Sequence, residues 1–395
     1  MFTNSSLHKL FCHDFVYKDG KLYFAAYNLN GIFCFDIKQE TSRLLAYIPD
    51  EISQGGNGYY NAIELLDGRL YIAPDHCNTF VVYDTASGQL SQIWMPETKY
   101  FYPEYSKFHS IAAWKKKVYF IPCRFPGIVE MDTQKNRMKI YENDVLGNQD
   151  ILITDQIRIG TKLYMLTWNS KQKEADGVLV FNLLTRRYEE LQAASDMKIY
   201  AFCNAQESIW MISDAGLAEY KLSTAEQNLY EFPAALSERI QALRIVFYDF
   251  KIWMFAENGE FFCTFHIENK TYSDLNDIPD RQCHKYLVNN YVTAKVYDEK
   301  LFYFNASAGT LYIFDHEVQK KYELGIPQEY DQSPLIRQSI KDTEVFLEGR
   351  DLSVFGCYYD LQDFLQSLDL GLNEKNADKN AGQTIYNLIR SQITI

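Results

Sequence analysis

Residues 11–48 read FCHDFVYKDGKLYFAAYNLNGIFCFDIKQETSRLLAYI. Phe11 to Tyr17 is an apolar, β-prone run, Lys18-Asp19-Gly20-Lys21 is a turn, and Leu22 to Ala26 runs back. Asp-Gly between such runs is a strong hairpin signal, because the tightest hairpin turn needs positive φ at both central residues. Gly31 to Asp36 makes a third run, Lys38 to Ser42 a polar turn, and Arg43 to Ile48 a fourth. The stretch predicts four antiparallel strands that form one unit.

The unit returns along the chain. After each first turn comes an aliphatic-aromatic pair: Leu22-Tyr23, Leu70-Tyr71, Val118-Tyr119, Leu163-Tyr164, Ile209-Trp210, Ile252-Trp253, Leu301-Phe302 and Val345-Phe346. A polar residue closing an aromatic strand follows in the same register: Asp36, Asp84, Asp132, Asn182, Lys221, His266, Asp315 and Asp360. A carboxylate there can accept backbone N–H groups just ahead of it and so start a turn. A period in the forties built from short strands is the signature of β-propeller blades.

The pattern predicts an all-β propeller of eight four-stranded blades over residues 1–360, with seven blades plus an appended sheet as the alternative. The eighth copy, Pro334 to Asp360, supplies three strands, and Phe2 to Leu10 is placed to add the missing outer one, since an unsealed ring leaves two exposed edges. Residues 361–395 are expected to be a helical tail. Leu361 to Leu370 has helical spacing, 371–383 is a polar linker, and Thr384 to Ile393 puts Ile385, Leu388, Ile389 and Ile393 on one face. That tail either packs on the propeller or docks on a partner.

These repeats of turn, aliphatic-aromatic pair, short loop and aromatic strand ending in Asp resemble kelch-type β-propellers over about residues 11–360. Kelch repeats usually carry Gly-Gly after the second strand, where this chain has Ala25-Ala26, Ala73-Pro74 and Ile121-Pro122. The resemblance implies a fold, and it carries over no catalytic residue.

Composition narrows function by exclusion. A net charge of −13, with no basic run beyond Lys115-Lys116-Lys117, opposes nucleic acid and anionic membranes, which need a concentrated positive footprint. No apolar window is long enough to span a bilayer, and Met1 to Leu10 lacks the pattern of a signal peptide. The eight cysteines are scattered, mostly in apolar strands, without CxxC, which reads as reduced thiols in a cytoplasmic protein. No cofactor is expected. Nor is a metal site, because HExxH is absent and no two histidines share ligand spacing.

In a four-stranded antiparallel blade the loops after strands two and four share one face, and here they are the longer ones. Longer loops on a rigid scaffold are where function concentrates. Those of blades one to four are the richest, so the expected ligand-binding residues are Tyr27, Asn28, Tyr60, Asn61, Asn78, Tyr102 and Trp168. Aromatic faces beside amides suit a glycan-like ligand, and they suit a protein partner equally.

The rival expectation is a carbohydrate-active lyase or hydrolase. Asp75, His76, His109 and Arg124 would supply base and charge neutraliser at the channel mouth. Each histidine could equally bond a loop carbonyl, and no nucleophile elbow or phosphate loop completes the set. Sequence therefore points to a binding or scaffold protein and leaves catalysis open.

Overall fold

The computed structural model describes residues 10, 12–26, 30–48, 59–98, 106–135, 137–172, 174–191, 197–237, 243–256, 261–277, 292–305, 309–316 and 318–325. The chain divides into residues 1–350 and 351–395, and every described residue belongs to the first unit. In that unit seven antiparallel sheets follow one another, each with its strands in chain order. The innermost strands are Val16–Lys18, Tyr60–Leu66, Phe108–Trp114, Ile151–Ile159, Ile199–Ala205, Leu243–Tyr248 and Val292–Tyr297. They open blades 1 to 7. The outer strand of blade 6 is broken into Thr271–Tyr272 and Asn276–Asp277.

The hairpins form where the sequence asks for them. Asp19-Gly20 and Asp67-Gly68 both carry positive φ at the two central positions, at 51° and 78° and at 50° and 76°. The recurrent third-strand residue has the structural role expected of it. Oδ1 of Asp36, Asp84, Asp132 and Asn182 each accepts the N–H groups two and three residues on. Those N–H groups hold the carboxyls of Asp84 and Asp132 below the ordinary range. They are turn formers.

Seven buried clusters fill the seven gaps between neighbouring blades. The decisive one joins Leu22, Phe24, Phe33 and Phe35 of blade 1 to Phe302, Phe304, Leu311 and Ile313 of blade 7. That contact closes the ring at seven blades and corrects the expectation of eight. Repeat marks count copies, but closure depends on which blade packs against the first, and no periodicity reports that. Blade 7 has its own outer strand, Val318–Glu323, so closure does not call for a borrowed one. Of Phe2 to Leu10 only Leu10 is described, and its N–H donates to Leu324 O at 2.7 Å. The eighth copy and the expected helical tail, residues 361–395, lie outside the described residues. The one described helix is the single turn Ala234–Ser237, and no described helix is long and apolar enough to cross a membrane.

Candidate functional site at the channel mouth

Four consecutive innermost strands break register at the same place. Pairing with the second strand skips one residue between Tyr60 and Ala62, Phe108 and Ser110, Ile153 and Asp155, and Ile199 and Ala201. The extra residues are Asn61, His109, Thr154 and Tyr200. A bulge leaves its extra residue unpaired and re-aims its side chain. Blades 6 and 7 pair without a shift. The mouth over blades 2 to 5 is thus built differently from the rest of the ring.

These residues, and the ones beside them, tie blade to blade. Asn61 Nδ2 donates to Phe108 O at 3.1 Å. Asp14 Oδ2 accepts Ile63 N–H at 3.1 Å, and Asp155 Oδ2 accepts Phe202 N–H at 3.2 Å, each across one interface. Arg244 of blade 6 donates through Nη1 to Thr154 O at 3.0 Å and stands 3.9 Å from Asp155. Asp155 is about one-fifth exposed but deep, and burial raises its pKa against the pull of Arg244. Sequence reasoning did not single out Asp14, Thr154, Asp155, Tyr200, Arg244 or Lys295. The readable signal was a polar or aromatic residue recurring at blade spacing just after the apolar start of each inner strand.

Asp75 is the second centre. It is 4% exposed, accepts His76 Nδ1 at 3.0 Å through one oxygen and is hydrogen-bonded by the Ser106 hydroxyl at the other. Its own N–H donates to Tyr59 O, Lys107 N–H donates to Asp75 O, and Cys123 N–H donates to Lys107 O, so three loop segments of blades 2 and 3 are laced together. Ser106 is bonded to the carboxylate and not to the histidine. A nucleophilic serine has the base on its hydroxyl and the acid behind the base, and this order is different. Burial, then Asp75, pushes the Cys123 thiol up to about 11. Burial, opposed by Asp75 and helped by His76, takes His13 down to about 4.

The expected catalytic set is only partly assembled. Asp75 and His76 meet. His109 is half-buried and depressed to about 3, by desolvation first and then by Arg244 and His13, while a bond to the Thr154 backbone opposes the shift. It is neutral at pH 7, and a group titrating that low is a weak general base. Arg124 donates through Nη1 to Gln149 O at 2.8 Å.

Of the expected ligand contacts, Tyr27, Asn28 and Tyr102 lie outside the described residues. Tyr60 is 1% exposed and packs in the core between blades 1 and 2, its hydroxyl 3.4 Å from Thr79 Oγ1. Asn78 is half-buried, with its carbonyl accepting Met95 N–H at 3.0 Å. Asn61 is a bulge residue, and half-buried Trp168 lies 6.3 Å, centroid to centroid, from the ring of Tyr200. Among the described residues no group of three or more His, Cys, Asp or Glu side chains could hold a metal ion.

No known protein family matches the sequence, and no curated protein does. Solved structures do match in shape. The chain is similar to YCF48 bound to D1 peptide, with TM-score 0.54 and 11% identity, covering 80% of this chain and 93% of that one. It is similar to the WD40 β-propeller domain of Doa1, with TM-score 0.53 and 8% identity, covering 78% and 94%. It is also similar to the computationally designed Ika8 protein, with TM-score 0.52 and 13% identity, covering 80% and 89%. At such identities the likeness establishes the propeller fold and nothing finer.

Proposed function

We propose that this propeller is a binding module that takes a segment of a partner protein across its loop-bearing mouth over blades 2 to 5. The observation that carries the reading is the run of bulges at Asn61, His109, Thr154 and Tyr200. It lines one sector of the mouth with hydrogen-bonding and aromatic groups on a rigid frame. Peptide binding on a propeller of similar shape has a precedent in YCF48, whose structure contains D1 peptide. A lyase or hydrolase has less support, since His109 is neutral, Ser106 is bonded to a carboxylate and the Cys123 thiol is raised.

A glycan-like ligand is the second reading, favoured by the Trp168–Tyr200 ring pair, because sugar C–H faces stack on such rings. Six described cysteines are free, five of them buried, which supports a reducing, cytoplasmic setting as part of the proposal. Kinship with kelch propellers rests on the repeat marks, and a docking role for the tail rests on the face of Ile385, Leu388, Ile389 and Ile393.

The test is to probe a tiled peptide library and a glycan array with the wild-type chain and with Trp168→Ala and Asn61→Ala. Trp168→Ala is expected to weaken any specific hit at least about tenfold, or about 1.4 kcal/mol. Peptide hits that survive both substitutions unchanged would place the site elsewhere. Glycan hits alone would favour the second reading.

A further inference from the structure

Each blade turns from its first strand to its second through a tip of two residues on the face opposite the mouth. In blades 1 and 2 the second tip residue is Gly20 or Gly68, at φ 78° and 76°, the residue that such a turn prefers. Blades 5, 6 and 7 keep the left-handed conformation at both tip residues and place a side chain at the second: Glu207 at 64°, Phe250 at 57° and Glu299 at 57°. Left-handed backbone is sterically costly for residues with a Cβ, and least expected of a bulky one. Three adjacent tips therefore keep strained positions that glycine would relieve. Their order is carboxylate, aromatic ring, carboxylate.

The central tip is firmly held. Tyr248 O accepts Trp253 Nε1–H at 3.2 Å, Phe250 O accepts Ile267 N–H at 3.4 Å, and Asp249 lies 3.8 Å from His316 Nδ1. Tyr248 OH accepts His316 N–H at 2.9 Å and donates to Phe314 O at 3.3 Å, which pins the tip of blade 6 to the neighbouring turn of blade 7. On this frame the Phe250 side chain is 64% exposed, and Glu207 and Glu299 are exposed on the blades to either side. A strained and fixed aromatic facing solvent suits an anchor residue, because little ordering is left to lose on binding.

Charge selects the partner. From blade 5 round to blade 1 the tips carry Glu207, Asp249, Asp298, Glu299 and Asp19 and no cation. Lys18, Lys21, Lys251 and Lys300 stand one residue further down the strands, and Lys300 is paired with Asp315 at 2.8 Å. Across the ring the tips of blades 2 and 3 neutralise each other through Asp67 and Lys116 at 2.7 Å. A sector of one sign favours a partner of the other sign, and an aromatic face between carboxylates also attracts a cation. We infer that the tips of blades 5, 6 and 7 form a second docking surface, which takes a Lys/Arg-rich segment of a partner protein. One basic side chain lies on the Phe250 ring, and its neighbours in that segment pair with Glu207 and Glu299. This surface is on the opposite face from the channel mouth and is independent of it.

The test is a random-peptide display library panned on the full wild-type chain, with Phe250→Gly as the counter-selecting target. Surviving peptides should be rich in Lys and Arg. The strongest of them, made synthetically, should bind at least about tenfold more weakly to Phe250→Gly and to a variant carrying both Glu207→Gln and Glu299→Gln. Raising salt from about 0.05 M to about 0.5 M should weaken it too, while Asp67→Asn, across the ring, should bind as the wild type does. Phe250→Gly should also have a higher urea midpoint than the wild type, because glycine relieves the turn and completes an Asp-Gly pair. A panning that leaves no binder, binders without basic residues, or a lowered midpoint for Phe250→Gly overturns the inference.

Discussion

Lys295 Nζ lies 2.5 Å from Asp14 Oδ1, and through this pair the innermost strand of the last blade grips the entry to the first. The grip is repeated on alternate residues, which share a side of a strand. Thr293 Oγ1 donates to His13 O, Lys295 Nζ to Phe15 O at 3.1 Å and Tyr297 OH to Phe15 O at 3.2 Å. Burial alone would lower the Lys295 pKa, but Asp14, then Tyr297 and Glu64, outweigh it, and the pKa is raised. A raised cation contributes its stability in full at neutral pH and loses it only as pH climbs through the folded-state value.

Lys295→Met should therefore destabilise the chain at neutral pH, because Asp14 stays in the channel without its counter-charge. Removing one partner of a dry buried pair costs about 3–5 kcal/mol, and the partial exposure of the two side chains reduces that here to about 2 kcal/mol. Urea denaturation reads the change. A midpoint equal to that of the wild type would mean the ring is closed by the cluster of blades 1 and 7 alone.

Acid should weaken the fold through two histidines. His13 and His109 titrate at about 4 and about 3 in the folded chain, well below the ordinary imidazole value. Stability is full above about pH 6.5 and falls as pH drops, by roughly 1.4 kcal/mol per unit for each histidine. Asp155 and Glu64 are raised by burial and act the opposite way, so the net slope is shallower. In melting curves between about pH 7 and pH 4.5, His109→Gln should flatten the acid slope. An unchanged slope would show that the imidazole is not held neutral.

Local chemistry was legible in the sequence and long-range chemistry was not. Asp36, Asp84 and Asp132 act on N–H groups two or three residues away, and the Asp-Gly turns are fixed by their own φ angles, so both could be read directly. Asp75 and His76 are chain neighbours, and their meeting was equally accessible. Asp14, Asp155, Arg244 and Lys295 act on partners 47 to 280 residues away, across interfaces that repetition announces without specifying. Blade count failed for the same reason. The burial of Tyr60 was not legible because it lies at a loop–strand boundary, where strand alternation decides which way a residue points.

Two interfaces carry one design with different chemistry, and substitution should separate them. Glu130 of blade 3 is 6% exposed, is paired with Lys117 and with Arg186 Nε at 2.7 Å, and accepts Tyr141 OH at 3.3 Å. Among the described residues, Glu219, two blades on, accepts only neutral donors, from Ser208, Asn228 and Tyr230, while Lys270 lies over the Trp210 and Tyr230 rings. Glu130→Ala strands two cations and should cost about 3–5 kcal/mol, against about 1–2 kcal/mol for Glu219→Ala. Equal losses in chemical denaturation would indicate that the ion pairs add nothing beyond hydrogen bonding.

Tyr60 offers the sharpest separation of scaffold from site. Its ring is buried in the same cluster as Ile63, Leu70, Ile72 and Val81, and its hydroxyl lies 3.4 Å from Thr79 Oγ1. Tyr60→Phe keeps the ring and should cost about 1 kcal/mol or less, whereas Tyr60→Ala opens a cavity worth about 3–5 kcal/mol. Ligand affinity measured on the folded Tyr60→Phe variant should equal that of the wild type, because a ring sealed between two blades meets no ligand. If Tyr60→Phe lost binding while keeping its stability, the hydroxyl would have to reach the mouth, and blade 2 would have to open there to admit it.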